Sequence, residues 1–158
     1  MNYNTNIIPV KIKLEDGVDV PLYKTRGAAC FDIAAKEDVE WKQVIHGFDG
    51  IYEAVVPTGI RVEIPSYAKI HLHPRSGNGF KYNVMLGNNT GIIDEDYRGE
   101  IFVKLIAFRV LSDLPAIKKG AAIAQGEVLP KYTAAFDVVQ ELSETERGEN
   151  GIGSTGHL

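Results

Sequence analysis

The chain has 158 residues, with 17 Lys and Arg against 21 Asp and Glu, and so a formal charge of −4. Its 44% hydrophobic and 24% charged content excludes a disordered polymer, and the acidic balance excludes a broad electrostatic grip on nucleic acid. The single cysteine, Cys30, excludes an internal disulfide framework and a cysteine-based zinc site, and no apolar run approaches the ~20 residues of a membrane span.

The length fits one domain, or at most two small ones, with a core of its own. Residues 1–6 show no basic region followed by an apolar stretch, so the expectation is a cytoplasmic protein with no membrane association. Along the chain a two-residue period dominates. Val10, Ile12 and Leu14 alternate with Lys11 and Lys13. Segment 28–35 then places one acid, Asp32, among small and apolar residues, where a carboxylate is costly unless it is paired. It reads as a structural acceptor or a site residue. Region 40–51 reads as a long hairpin, with a partner surface as the alternative. A strand is expected over 51–56. Ile60, Val62 and Ile64 alternate next, then Ala68, Ile70 and Leu72. On that last strand His71 and His73 point to one face, as some metal pairs do. Two surface histidines outweigh that reading, since the further ligands would have to come from elsewhere.

Segment 74–79 follows as a sharp turn holding Arg75, Ser76 and Gly77, the parts of an anion cradle. A strand and hairpin are expected over 82–91. Segment 91–99 sets Asp94, Glu95 and Asp96 beside Tyr97 and Arg98 between two glycines. It reads as a hairpin tip, either a solvated acidic turn or a carboxylate that activates water or attracts Mg²⁺. Ile101, Val103 and Leu105 alternate again, and a helical turn is expected near 112–119. A small-residue strand over 121–129 holds Gln125, whose amide needs a partner. A last strand is expected over 132–139. Many short strands with turn signals between them indicate an all-β sandwich or barrel. From 143 to 158 the only large apolar residues are Ile152 and Leu158, and Gly148, Gly151, Gly153 and Gly156 crowd together beside Arg147, Ser154 and Thr155. This stretch reads as a mobile arm, either a frayed tail or a glycine-rich phosphate clamp. The division is therefore a domain over 1–142 and an arm over 143–158.

Taken in order, five segments resemble the trimeric dUTPase family. They are 29–33, Pro74-Arg75-Ser76-Gly77, the nearly unbroken 91–99, Ile123-Ala124-Gln125 and 147–156. The resemblance implies a β jelly-roll-like subunit and a homotrimer with three shared active sites. The implied reaction is dUTP plus water giving dUMP and pyrophosphate, with Mg²⁺ on the triphosphate. Asp94 matches the catalytic carboxylate. Tyr97 would lie against the deoxyribose. Asn88, Gly91, Ile93 and the backbone of 82–91 would read the uracil. Arg75, Ser76, Gly77 and Gln125 would hold phosphates from a neighbouring subunit. Arg147, Ile152, Gly153, Ser154, Thr155 and Gly156 would close over them from the arm of another. Asp32 would act on the metal through water or support the site.

The chain departs from the family pattern at three places. Ile152 stands where the arm usually carries an aromatic, Cys30 stands where glycine is preferred, and region 40–51 is longer. The alternatives are a dCTP deaminase of the same fold and a non-catalytic nucleotide sensor on the same scaffold. Segment 94–99 favours the hydrolase over the first. A water-activating acid, which a sensor does not need, argues against the second.

Overall fold

The computed structural model describes residues 7–44 and 50–151. Among them ten short strands carry the fold. These are β1 (Lys11–Leu14), β2 (Phe31–Ala34), β3 (Lys42–Gln43), β4 (Tyr52–Pro57), β5 (Ile60–Glu63), β6 (Ala68–Pro74), β7 (Val84–Leu86), β8 (Gly91–Ile93), β9 (Phe102–Ala107) and β10 (Ala122–Pro130). A short helix, α1 (Ser76–Tyr82), and a 3-10 turn at Leu111–Asp113 complete the elements. The strands pair antiparallel in two four-stranded sheets, ordered β2-β10-β6-β8 and β3-β4-β9-β7, with β1-β5 as a separate ribbon.

Alternation sorts the side chains, because successive residues of a strand face opposite sides. In β6, Ala68, Ile70 and Leu72 are buried, while Lys69, His71 and His73 take the other face. In β9, Val103, Leu105 and Ala107 are buried. The inward residues of both sheets and the ribbon, among them Ile33, Ile70, Val56, Val103 and Ile60, form one core cluster. The all-β sandwich expected from the sequence is the fold observed. Its one fully buried polar side chain among the described residues is Thr58, after β4. Thr58 donates to the Ile101 carbonyl at 2.6 Å and accepts from the Ile60 N–H at 3.2 Å, so its burial leaves no orphaned hydroxyl. No helix of the described residues is long and apolar enough to cross a membrane.

Several local expectations are corrected. Residues 76–82 form a helix rather than a sharp turn. Asn83 ends it in the left-handed region at φ 52°, its N–H donating to the carbonyls of Asn78 and Gly79. Gly77 and Gly79 had masked the helical signal. β7 and β8 are not a paired hairpin, since β7 pairs with β9 and β8 with β6. Segment 91–99 is likewise a crossover from one sheet to the other rather than a hairpin tip. The turn near 112–119 shrinks to Leu111–Asp113, and Ile117 bridges to Val39. Region 40–51 does begin a hairpin, with β3 on β4, and the Trp41 indole N–H donates to the Pro115 carbonyl at 2.9 Å. Its residues 45–49 lie outside the described residues.

Residues 132–139 alternate in sequence but form no strand. A strand needs an edge to pair with, and Tyr132, Phe136 and Val138 stand 89%, 92% and 95% exposed.

Candidate active site

The first group of polar residues gathers around β10. There Gln125 stands opposite Asp32 of β2 on one side and His73 of β6 on the other. Small residues let the strands close up at this point. A Cβ on Gly126 would come within 2.4 Å of the Phe31 ring, so any larger residue would require that ring to move. Gln125 Nε2 donates to the Pro74 carbonyl at 3.0 Å, which holds the end of β6. Just beyond, Arg75 donates to the Ala122 carbonyl at 3.3 Å and sets its Nε 3.5 Å from Asp32 Oδ1. Ser76 and Gly77 open α1 and are exposed. A Cβ at Gly77 would meet nothing within 4 Å, so no packing demand of this chain explains the glycine. A guanidinium held in this direction, beside the exposed Ser76 hydroxyl, can take a phosphate. Just before β2, on the Glu127 side of β10, the Cys30 thiol is pushed up, chiefly by burial and then by the charge of Glu127, so it stays protonated and is a poor nucleophile.

The second group follows β8. The Tyr97 N–H donates to the Asp94 carbonyl at 3.2 Å, and its hydroxyl donates to the Glu100 carbonyl at 2.7 Å. The ring lies over Gly99, where a Cβ would approach the hydroxyl to 2.5 Å. Glu95 is paired with Lys131, and Arg98 donates to the Glu95 and Tyr97 carbonyls. Asp94 is exposed and makes no ion pair among the described residues. Two clefts adjoin here. One, of about 270 Å³, is lined by Asn88, Gly91 and Ile93 among others. The next, of about 240 Å³, is lined by Ile93, Asp94 and Tyr97. Two small clefts with Ile92, Ile93 and Phe102 as common walls, and an exposed carboxylate in the second, suit a base and a sugar.

The two groups do not meet within one chain. Register sets Ile93 opposite Ile70, so Asp94 follows at the Lys69 end of β6, while Arg75 lies beyond the other end at Pro74. Six residues of strand separate the two positions by about 20 Å. Arg147 lies further along an exposed stretch and turns back on itself, donating to the Asn150 and Gly151 carbonyls at 2.8 and 3.3 Å. Ile152, Gly153, Ser154, Thr155 and Gly156 lie outside the described residues.

Among the described residues no group of three or more His, Cys, Asp and Glu could hold a metal ion. His71 and His73 do share a face, with rings edge-on at 6.0 Å and His73 Nε2 3.3 Å from Glu127 Oε2, but they gather no metal cage. Burial, helped by the charges of Lys69 and His73, holds His71 below its ordinary value. Asp32 faces Arg75 and offers no cage either. Sequence reasoning missed two features of the site. Arg75 reaches Asp32 past an intervening strand, which no local spacing encodes. Phe102 forms a wall of both clefts, and only its outward phase in the 101–105 alternation signalled it.

The dUTPase family model matches residues 16–156. The deoxyuridine 5'-triphosphate nucleotidohydrolase of Fusobacterium nucleatum is 36% identical over 151 residues, covering 94% of this chain and 97% of that protein. The one from Beijerinckia indica is 40% identical over 156 residues, covering 96% and 91%. Among solved structures, the Staphylococcus bacteriophage 80alpha dUTPase with dUpNHpp superposes with a TM-score of 0.78 at 24% identity, over 94% of this chain and 99% of that one. A mutant dUTPase from phage phi11 of S. aureus, which coordinates a structural Mg(II) ion, superposes with a TM-score of 0.71 at 21% identity, over 86% of this chain and 99% of that one. At these identities the two phage structures speak for the fold.

Proposed function

The chain belongs to the dUTPase family, and from that premise we propose that it hydrolyses dUTP to dUMP and pyrophosphate. The observation that carries the reading is the pair of adjoining clefts, with Asp94 unpaired in the second among the described residues. The uracil occupies the first cleft, read by Asn88 and the backbone around Gly91. Its narrow walls exclude a 5-methyl group. The deoxyribose lies against Tyr97 in the second, where a 2′-hydroxyl would clash. Asp94 orients a water and takes its proton as the oxygen attacks the α-phosphorus. Pyrophosphate leaves.

The triphosphate needs cations, and Arg75 is too far along β6 to supply them to the same chain's Asp94. We therefore assign Arg75, Ser76, Gly77 and Gln125 to a site shared with a second copy in a homotrimer, with Asp32 positioning Arg75. The gap of about 20 Å between the groups and the exposed apolar residues Tyr132, Phe136, Val138 and Leu142 support this assembly. The arm over 143–158, with Arg147, Ile152, Gly153, Ser154 and Thr155, then closes over the phosphates from a further copy and excludes water. Mg²⁺, which keeps phosphate oxygens and waters as its main ligands, would enter on the triphosphate as part of the substrate. In a cell this activity would limit uracil entry into DNA and supply dUMP for thymidylate synthesis, which fits an intracellular enzyme.

The test is pyrophosphate release from dUTP with Mg²⁺, with dCTP, dTTP and UTP in parallel, for the wild type and Asp94→Asn. Release from dUTP alone, lost in the variant, is expected. Ammonia from dCTP would indicate a deaminase, and tight dUTP binding without turnover would indicate a sensor.

A further inference from the structure

The turn after β8 carries three acids in a row, and the first two have different surroundings. Asp94 is exposed and makes no ion pair among the described residues, whereas the Glu95 carboxylate is paired with the Lys131 ammonium, the two side chains being 33% and 35% exposed. This pair spans the sheet. Glu95 lies beyond the end of β8 and Lys131 beyond the end of β10, with β6 between them. Lys131 is itself placed by the backbone. Pro130 forms the last rung with Ala68, and the Lys131 N–H donates to the Tyr67 carbonyl at 2.8 Å. Within the turn, Arg98 donates to the Glu95 and Tyr97 carbonyls, and the Tyr97 N–H donates to the Asp94 carbonyl at 3.2 Å. Glu95 is therefore held by its carboxylate from across the sheet and by its carbonyl from inside the turn, next to the free carboxylate of Asp94. A partly exposed ion pair adds little to stability, so what this one contributes is geometry.

We propose that Lys131 is a positioning residue for the hydrolysis. Through Glu95 it sets the turn that carries Asp94, and so the direction in which that carboxylate meets its water. The inference rests on the reading of Asp94 as the water-activating acid. Among the described residues that line the two clefts, neither Glu95 nor Lys131 appears, and Tyr97 keeps its own anchor in the Glu100 carbonyl. The pair therefore acts on the acid and leaves the base and sugar contacts alone. Lys131 is also where the chain leaves β10 for the exposed stretch that follows, so one side chain ties the turn of Asp94 to the root of that stretch.

A small misplacement of a reacting group costs rate while leaving ground-state contacts in place, so the loss falls on kcat rather than KM. Lys131→Met keeps the length of the side chain and removes the ammonium. It is expected to lower kcat for dUTP by about tenfold to a hundredfold, with KM within about twofold. Glu95→Gln cuts the same pair from its other end and should behave alike. Lys131→Arg, which keeps the charge, should restore most of kcat. All three should melt close to the wild type, which thermal unfolding checks. Hydrogen exchange over residues 94–98, followed by mass spectrometry, gives a readout that needs no turnover. Exchange there should be faster in Lys131→Met and Glu95→Gln than in the wild type and Lys131→Arg. An unchanged kcat in Lys131→Met, a Lys131→Arg as slow as Lys131→Met, or exchange indifferent to all three substitutions overturns the inference. If the wild type released no pyrophosphate from dUTP, the hydrolase reading would fall, and the exchange would still decide whether Lys131 holds the turn.

Discussion

Asp32 and Arg75 are joined past an intervening strand. The Arg75 Nε lies 3.5 Å from Asp32 Oδ1, and on its way the guanidinium donates to the Ala122 carbonyl of β10. Arg75 therefore has a fixed direction before any ligand arrives. A preorganised guanidinium loses less freedom when it takes a phosphate.

Asp32→Asn keeps the shape and removes the charge that steers Arg75. kcat/KM for dUTP should fall about tenfold, in line with the loss of one charge-assisted contact, while the melting temperature changes little. Steady-state kinetics beside thermal unfolding check this. An unchanged kcat/KM would leave Asp32 a structural acceptor only.

The separation of Asp94 from Arg75 makes a test by mixing possible. Asp94→Asn and Arg75→Ala should each be nearly inactive alone, with the first slowed by about 10²- to 10⁴-fold. If each site draws on two copies, mixed trimers rebuild some sites from the unaltered halves. Random reassembly of equal amounts should return about a quarter of the sites. Co-refolding followed by a pyrophosphate assay reads this directly, and no recovery in verified mixed oligomers would place both residues in one chain's site.

Thr58 is fully buried, and its hydroxyl serves both the Ile101 carbonyl and the Ile60 N–H. Thr58→Val preserves the volume and leaves those two backbone groups short of a partner. Stability should fall by about 1–3 kcal/mol, measured by denaturant unfolding, with little effect on kcat once the protein is folded.

His71 is held below its ordinary value, first by burial and then by the charges of Lys69 and His73. A histidine with a depressed folded-state value binds its proton more readily when unfolded. Its contribution is thus fully present above about pH 6.5, the unfolded value, and is lost as the pH falls through the lower folded value. Melting temperature should decline on acidification through that window, and His71→Gln should flatten the decline. The same slope in the variant would refute this assignment.

Much of the fold is legible in the residues themselves. The alternations in 10–14, 60–64, 68–72 and 101–105 each locate a strand and its buried face, because burial acts residue by residue. The short helix is not legible, since Gly77 and Gly79 oppose it and the Asn83 cap sustains it. The Asp94 segment announces itself locally, whereas the Asp32–Arg75 pair depends on the order of β2, β10 and β6, which a single chain's spacing does not carry. Residues 132–139 show a legible strand pattern that finds no partner strand among the described residues. Their periodicity reports a face to be covered without saying by what.

β7 and β8 follow one another in sequence, yet each is the outermost strand of a different sheet. Each therefore turns one edge away from its own sheet, beside a cleft lined from both strands by Leu86 and by Gly91, Ile92 and Ile93. The edge of uracil, with its alternating acceptor, donor and acceptor, is a fair likeness of a strand edge. Under the proposed reading the base does not merely fill a hole. It stands in for a missing rung of the ladder, so the protein's own pairing grammar is what it uses to spell uracil.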